Sequence, residues 1–150
     1  MTLKIAVQMD PMETVNIAGD SSFALMLSAQ KRGHQIFHYD VKGLTLQANG
    51  RLTTPAHPVT VQPVKGDHFT FGDPVKLDLG SDVDVVLMRQ DPPFHVGYIT
   101  ATHLLERIES ETLVVNNPVS VRNAPEKVYV LDYAQFMPPT LITRDLDEVR

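Results

Sequence analysis

Residues 84–94 read DVVLMRQDPPF, an apolar run that ends in charged residues and prolines. The four apolar residues have no polar break, which is typical of a strand covered on both faces in a parallel sheet. Arg89 and Asp91 follow at once, and the prolines stop any regular element. Ligands of open α/β sheets bind beyond the carboxyl ends of the strands. The stretch therefore predicts either a charged binding crevice or, more simply, a surface ion pair between Arg89 and Asp91.

The segments on either side predict the rest of the sheet. Residues 3–9 alternate as a first strand, and residues 34–39 form a second strand. Between them, residues 22–32 have helical spacing, Asp20, Ser21 or Ser22 can cap the start of this helix, and Gly33 ends it. Strand, helix and strand in this order make a βαβ unit. Residues 98–108 again have helical spacing and residues 112–115 form a short strand. We expect an α/β fold of three layers, with a mostly parallel, Rossmann-like sheet and flanking helices.

The segment between the second strand and residue 84 has a different pattern. Asn49-Gly50 lies between two alternating runs, which is the strongest short signal for a hairpin. Residues 59–62 and 68–71 also alternate, and several prolines and glycines separate these runs. We expect an antiparallel hairpin excursion around residues 43–75, at the edge of the sheet. The same segment leads through residues 77–82 into the next strand.

The C-terminal residues predict three further elements. A helix begins near Asn123 and Pro125 and fades near Met137, a last strand covers residues 140–143, and an acidic turn opens another helix at Asp145. A helix of a single turn has little stability of its own. We therefore expect residues 1–150 to be the front part of a longer protein.

The composition argues against several classes of protein. The chain has 150 residues, a net charge of −5 and no cysteine, so thiolate chemistry and disulfides are excluded. Basic residues form no long run, which argues against nucleic acid as a partner. The N-terminus lacks the pattern of a signal peptide, and no apolar run approaches the roughly 20 residues that span a membrane. We expect a cytoplasmic protein with no membrane partner.

Polar side chains follow three of the predicted strands. Their carboxyl ends meet at one edge of a parallel sheet, and a guanidinium there can bind a carboxylate or phosphate through two hydrogen bonds. The alternative is that asparagine and aspartate only suit the turns. The polar residues concerned are Gln8, Asp10, Asn16, Arg89, Asp91, Asn116 and Asn117. Phe94, after the same prolines, can form a wall of the pocket.

Other site chemistry finds little support in the sequence. His34 and His38 are four residues apart in a strand, so they do not form the zinc pair of a helix, and we expect no metal site. The glycine patterns of dinucleotide-binding and phosphate-binding loops are absent, as is the nucleophile elbow. Considered by its residue type alone, Lys127 is a solvated lysine.

Several runs together resemble the bacterial glutathione synthetase family. They cover nearly the whole chain, and the resemblance is weakest in residues 41–80. The Met-Arg-x-Asp-Pro-Pro-Phe pattern is the most specific of them. The runs are residues 7–11 (VQMDP), 16–17 (NI), 20–24 (DSSFA), 30–33 (QKRG), 87–94 (LMRQDPPF), 114–118 (VVNNP), Ser120, 122–123 (RN), 126–127 (EK) and 138–144 (PPTLITR).

The resemblance implies an ATP-grasp ligase. Such an enzyme phosphorylates the cysteinyl carboxylate of γ-glutamylcysteine with Mg²⁺ and ATP, and glycine then attacks the acyl phosphate to form glutathione. Residues 1–123 would be the N-terminal substrate domain, of the pre-ATP-grasp type. Residues 124–150 would be a linker helix, a strand and the start of the ATP-grasp region. Family members are homo-oligomers, so a dimer or tetramer is implied.

The resemblance also assigns roles to residues. Arg89 would be catalytic, and Lys127 would contact the nucleotide phosphates. The ligands of Mg²⁺ would lie beyond residue 150, so residues 1–150 alone would be inactive. The implied substrate-binding residues are Met9, Asp10, Asn16, Ile17, Arg89, Asp91, Phe94 and Asn116.

Two other functions remain open. One is a stand-alone α/β module that binds a peptide or forms oligomers. The other is a different ATP-grasp ligase that joins a carboxylate to an amine, which the Met-Arg-x-Asp-Pro-Pro-Phe pattern disfavours.

Overall fold

The computed structural model describes residues 1–150 apart from the side chain of Glu126. Strands and helices alternate along the first two thirds of the chain. The strands are β1 (Lys4–Gln8), β2 (Gln35–Tyr39), β3 (Thr45–Leu46), β4 (Leu52–Val61), β5 (Phe69–Phe71), β6 (Val75–Asp78), β7 (Val85–Met88) and β8 (Leu113–Val115). The α-helices are α1 (Ser21–Lys31), α2 (Val96–Glu106), α3 (Pro118–Asn123) and α4 (Glu126–Tyr129).

The sheet has the strand order β3-β4-β2-β1-β7-β8, with β5 and β6 also paired to β4. Its centre is parallel, because β1 pairs in parallel with β2 and β7, and β7 pairs in parallel with β8. The pairs that involve β4 are antiparallel. The predicted α/β fold, with a parallel sheet and an antiparallel excursion at its edge, is confirmed.

Alternation along β1 divides the core between the two faces of the sheet. Ile5 and Val7 pack with Phe23 of α1, whereas Ala6 belongs to the cluster that contains Leu105 of α2. Successive side chains of a strand point to opposite faces, so each face needs its own helix. The two helices therefore complete the predicted three layers.

Helix α1 begins where its sequence predicts. Asp20 accepts a hydrogen bond from the backbone N–H of Phe23 at 2.7 Å and so caps the free amides of the first turn. At the other end, Gly33 has a φ of +79°, a conformation that glycine adopts without the steric cost of a side chain. These two signals set both ends of α1, and its first residues lie next to the end of β7, since Ser21 and Ser22 bond the Arg89 side chain.

The excursion is more regular than its sequence predicts. The hairpin around Asn49-Gly50 is present, but its second run continues into the run at residues 59–62, and together they form one ten-residue strand, β4. Strand β6 was not predicted. The prolines inside β4 obscured this continuity. A proline loses only its amide donor, and the carbonyl of Pro58 still accepts a hydrogen bond from the N–H of Gly72 at 2.8 Å.

The predicted elements after residue 123 are largely wrong. Residues 140–143 form no strand, and the predicted helix from residue 123 to 137 is divided into α4 and a 3-10 helix, Val130–Phe136. The end of the chain holds one further 3-10 turn, Asp147–Val149. A strand is stabilised by a neighbour on its edge, and Leu141 is 62% exposed with no strand beside it. Among the described side chains, the last buried one is Pro118.

Across the described chain, no helix has both the length and the apolar character that crossing a membrane requires.

We expect His38 to make folding sensitive to acid. Burial of this β2 side chain lowers its pKa from the ordinary 6.5, although its Nε2 donates a hydrogen bond to the carbonyl of Asp10. Below about pH 6.5 the unfolded chain therefore binds a proton that the folded chain resists, and stability falls as the pH falls. Urea unfolding between about pH 7 and pH 5 should show a flatter pH dependence for His38→Gln. The exposed-site variant His103→Gln should keep the original slope, and equal slopes for all three proteins would contradict this assignment.

Candidate functional site

A cleft of about 310 Å³ lies where β1 and β7 end, against the N-terminus of α1. Polar and charged side chains dominate its lining. The lining residues are Met9, Asp10, Thr14, Val15, Asn16, Gly19, Asp20, Arg89 and Asp91. We call this the β1–β7 cleft. It lies at the carboxyl ends of parallel strands, the usual place for ligands in an α/β sheet.

Arg89 is held in this cleft by two hydroxyl groups of α1. Its Nε donates to Ser22 Oγ at 3.0 Å, and its Nη2 donates to Ser21 Oγ at 2.6 Å. These partners, rather than the carboxylate of Asp91, orient the guanidinium, so the predicted simple ion pair is not what positions it. The positive N-terminus of α1 lies beside the guanidinium. Together they favour an anionic group of a ligand.

Three carboxylates line the same cleft as the guanidinium. Asp10 accepts a hydrogen bond from the backbone N–H of Asp91 at 2.7 Å, which joins the loop after β1 to the loop after β7. Asp20 adds a third carboxylate at the start of α1. The cleft therefore offers one fixed cation and three carboxylates, a combination that suits a ligand with both an anionic and a cationic group.

The loop between β1 and α1 is closed by its own backbone. The carbonyl of Asn16 accepts from the N–H groups of Gly19 and Asp20, both at 3.0 Å, and its side-chain oxygen accepts from Ala18 N–H at 3.3 Å. On the far side of the loop, buried His68 donates from Nε2 to the carbonyl of Met12 at 2.7 Å. The wall of the cleft is thus tied to the antiparallel excursion.

Phe94 and Asn116 line a second, neighbouring cleft of about 510 Å³. The Phe94 ring contacts Tyr98, with ring centroids 5.0 Å apart. Burial raises the pKa of the Tyr98 hydroxyl, and the charges of Arg89 and Asp91 also act on it, which places the two clefts side by side. The predicted single site is therefore two adjoining clefts, which share the loop after β7.

The remaining predicted residues lie outside both clefts. Ile17 packs against the core under α1. Asn117 caps α3, because its Oδ1 accepts from the N–H of Ser120 at 2.9 Å. Lys127 lies exposed on α4. Of the residues predicted for substrate, the β1–β7 cleft brings together Met9, Asp10, Asn16, Arg89 and Asp91.

A third cavity, of about 560 Å³, lies beside β2 and β4. Its lining includes Ile36, Phe37 and Phe71, and no aspartate, glutamate, lysine or arginine contributes to it. This groove offers apolar contact but no charge to recognise a polar substrate. Charge therefore distinguishes the β1–β7 cleft from it.

The described side chains include no group of three or more histidine, aspartate or glutamate residues that could hold a metal ion. The carboxylates of the β1–β7 cleft are instead engaged in part with the backbone, as Asp10 is with Asp91 and Asp20 is with Phe23.

Sequence reasoning missed Ser21 and Ser22 as partners of Arg89. It considered them only as helix caps, together with Asp20. Their place at the start of the helix that follows β1 was the available signal, because that helix end meets the carboxyl ends of the strands. Gly19, Thr14 and Val15 gave no signal of their own.

Sequence comparison identifies known proteins that are similar to this chain. The family model described as "Prokaryotic glutathione synthetase, N-terminal domain" matches residues 3–122. The glutathione synthetase of Rhodopseudomonas palustris is 57% identical over 149 residues, that of Brucella melitensis is 55% identical, and that of Salmonella typhimurium is 38% identical.

Each of these three alignments covers 99% of this chain and 47% of the relative. The chain thus spans about half the length of the curated relatives it matches. The family match covers both loops that build the β1–β7 cleft. This chain therefore belongs to the family of prokaryotic glutathione synthetase N-terminal domains.

Proposed function

We propose that residues 1–123 form the γ-glutamylcysteine-binding domain of a glutathione synthetase, and that residues 124–150 lead into its ATP-grasp region. The observation that carries the proposal is the guanidinium of Arg89, held by Ser21 and Ser22 in a cleft that also offers carboxylates. Family membership supports the choice of substrate. The change from buried to exposed side chains after Pro118 supports the boundary.

The proposed reaction joins a carboxylate to an amine with ATP. The cysteinyl carboxylate oxygen of γ-glutamylcysteine attacks the γ-phosphorus of ATP, and ADP leaves. The glycine nitrogen then attacks the acyl carbon and loses a proton, and the C–O bond to phosphate breaks. The products are glutathione, ADP and phosphate.

Arg89 is the proposed catalytic residue of this domain. When glycine attacks the acyl phosphate, the carbonyl oxygen becomes an oxyanion at the tetrahedral centre, and a fixed cation stabilises that developing charge. The hydroxyls of Ser21 and Ser22 hold the guanidinium before the ligand arrives. The protein therefore does not need to reorganise around Arg89 during the reaction.

The other lining residues bind the peptide in this proposal. Asp10 and Asp91 provide carboxylates for the ammonium group of the glutamyl residue, Asn16 provides an amide, and Met9 provides apolar contact. In the adjoining cleft, Phe94 and Asn116 extend the surface toward the rest of the peptide. Ile17 supports the loop from the core rather than touching the ligand.

Lys127 is the residue of this chain that we propose to bind ATP. Lys127 contacts the phosphates of ATP, whereas the ligands of Mg²⁺ lie in the part of the relatives that residues 1–150 do not span. When bound, Mg²⁺ would neutralise phosphate charge. We also propose that the enzyme works in the cytoplasm and as a dimer or tetramer.

We expect residues 1–150 to bind γ-glutamylcysteine without releasing ADP. Isothermal titration should detect the γ-linked dipeptide, while the α-linked isomer should compete poorly because its ammonium and carboxylate groups are placed differently. An ADP-release assay with glycine should stay at background. Equal binding of both isomers would favour another ATP-grasp ligase, and steady ADP release would contradict the placement of the ATP site.

An interaction module is the second candidate, because many apolar side chains after residue 127 are exposed. They include Val128, Leu131, Phe136, Leu141 and Leu146. Large exposed apolar surfaces mark protein contacts. If residues 1–150 form oligomers in solution but do not bind γ-glutamylcysteine, this second function takes first place.

A further inference from the structure

A row of side-chain hydrogen bonds joins the ends of three neighbouring strands at the edge of the sheet where the β1–β7 cleft lies. Gln8 is fully buried, and its Nε2 donates to Oε1 of Gln90. Its Oε1 accepts from the hydroxyl of Tyr39 at 3.1 Å. Tyr39 ends β2, Gln8 ends β1, and Gln90 follows β7, so the row joins the carboxyl ends of neighbouring strands.

Gln90 lies between Arg89 and Asp91, the two charged residues that the loop after β7 contributes to the cleft. Gln8 also bonds the residue before Gln90, because the backbone N–H of Arg89 donates to the carbonyl of Gln8 at 2.8 Å. Gln8 thus holds this loop twice, once through its backbone and once through its side chain. Gln8 itself does not line the cleft, because its side chain lies on the same face of β1 as Ala6, opposite to the face that packs against α1.

We propose that the bond between Gln8 and Gln90, supported by Tyr39, is a positioning device that sets where Arg89 lies in the cleft. The functional consequence of this proposal rests on the proposed γ-glutamylcysteine site, whereas the positioning itself does not. Gln8, Gln90 and Tyr39 are positioning residues, because they act on the ligand only through Arg89.

Both polar atoms of the buried Gln8 side chain have a partner. A buried amide that lacks a partner is strongly unfavourable, so the bonds to Gln90 and Tyr39 hold this side chain in place. Burial raises the pKa of Tyr39, so its hydroxyl keeps its proton and remains a donor. Supporting hydrogen bonds of this kind limit the movement of the groups they hold, and small displacements of a reacting group reduce activity strongly.

The first test compares leucine variants at both ends of the bond. Gln8→Leu and Gln90→Leu should each weaken γ-glutamylcysteine binding about tenfold, and the double variant should add little because both changes remove one bond. Gln90 is only partly buried, so its variant should fold even where Gln8→Leu does not. Additive losses in the double variant would show that the two residues act separately and would overturn the proposal.

Gln30→Leu is the matched control. Its side chain bonds both the N–H and the carbonyl of Val61 at 2.8 Å, and it lies near the end of α1 that is remote from Arg89. Losing these bonds should lower thermal stability and leave the affinity unchanged. A similar loss of affinity in Gln30→Leu would mean that general destabilisation, rather than positioning, explains the Gln8 and Gln90 results.

A second readout needs no ligand. The Nε–H resonance of Arg89, which reports its bond to Ser22, should move in Gln8→Leu and Gln90→Leu and stay in place in Gln30→Leu. An unchanged Arg89 resonance in both Gln8 and Gln90 variants would overturn the positioning proposal, whatever the protein binds. If the unsubstituted chain binds no γ-glutamylcysteine, the proposed function fails, and the resonance alone decides the positioning proposal.

Discussion

Replacing Arg89 with alanine should lower the rate of glutathione formation by about 10²- to 10³-fold in the native gene product. The reason is that Arg89 is the fixed cation of the β1–β7 cleft, held by Ser21 and Ser22 next to the proposed position of the reacting carboxylate. Steady-state measurement of ADP release with γ-glutamylcysteine and glycine gives kcat and KM separately.

Two further variants show whether the loss in Arg89→Ala comes from the charge and geometry of this side chain. Arg89→Lys keeps the charge but not the fork of donors that engages two hydroxyls, so it should fall between the native protein and Arg89→Ala. Arg32→Ala removes an exposed arginine at the opposite end of α1 and should leave both constants unchanged. Native rates in Arg89→Ala would remove the catalytic assignment.

Replacing Phe23 with alanine should destabilise the fold by about 3–5 kcal/mol. Phe23 is 2% exposed at the first turn of α1, where its ring contacts His68 at a centroid distance of 5.8 Å. The substitution leaves a cavity between α1 and the sheet, next to the residues that hold the wall of the cleft. Thermal unfolding should show a loss of about 2–4 °C for each kcal/mol in a domain of this size.

Leu25→Ala is the control on the same helix. Leu25 is 47% exposed, so its removal should change the stability by no more than about 0.5 kcal/mol. If the two variants unfolded at the same temperature, α1 would not cover the sheet in the way described.

The sequence predicted the parallel centre of the fold because its signals there are local. Uninterrupted apolar residues mark β7, and a capped helix that ends at Gly33 marks α1. Each signal depends on a few neighbouring residues and on which face is buried. Such patterns remain readable without knowledge of the rest of the chain.

The excursion was harder to predict because its pairing depends on distant residues. β4 continues through Pro55 and Pro58, which local rules treat as breaks. It is stabilised by partners far along the chain, including Lys76, which pairs with Pro55. Similarly, the run at residues 140–143 has strand-like composition, but the described chain provides no neighbouring strand.

Asp10, Arg89 and Asp91 were predicted for the site, whereas Asp20 and the residues that hold Arg89 were not. Topology alone brings Asp10 and Arg89 to one edge of the sheet, because parallel strands end together. The place of Ser21 and Ser22 at the start of the helix after β1 indicates that they lie near this edge of the sheet. Their bonds to Arg89 depend also on how closely α1 approaches β7, which that position does not show. Asn116 was placed on the correct edge but in the adjoining cleft, because β8 lies one strand farther from β1.

The sequence predicts that the Gln8 side chain is buried and needs a partner, but it does not predict which residues are the partners. Alternation places it on the same face of β1 as Ala6, where a buried polar side chain needs a partner. That requirement indicates a hydrogen-bonded network at the end of the strand. It does not indicate that the partners are Tyr39 and Gln90, since one lies on another strand and the other in a distant loop.

A two-dimensional NMR titration of this chain with γ-glutamylcysteine would show whether the β1–β7 cleft binds the peptide. We expect saturable shifts at the backbone amides of Asp10, Asn16, Arg89 and Asp91, and no such shifts in an Arg89→Ala variant at the same ligand concentrations. Shifts confined to the apolar groove beside β2 and β4, or no shifts in the native chain, would contradict this expectation.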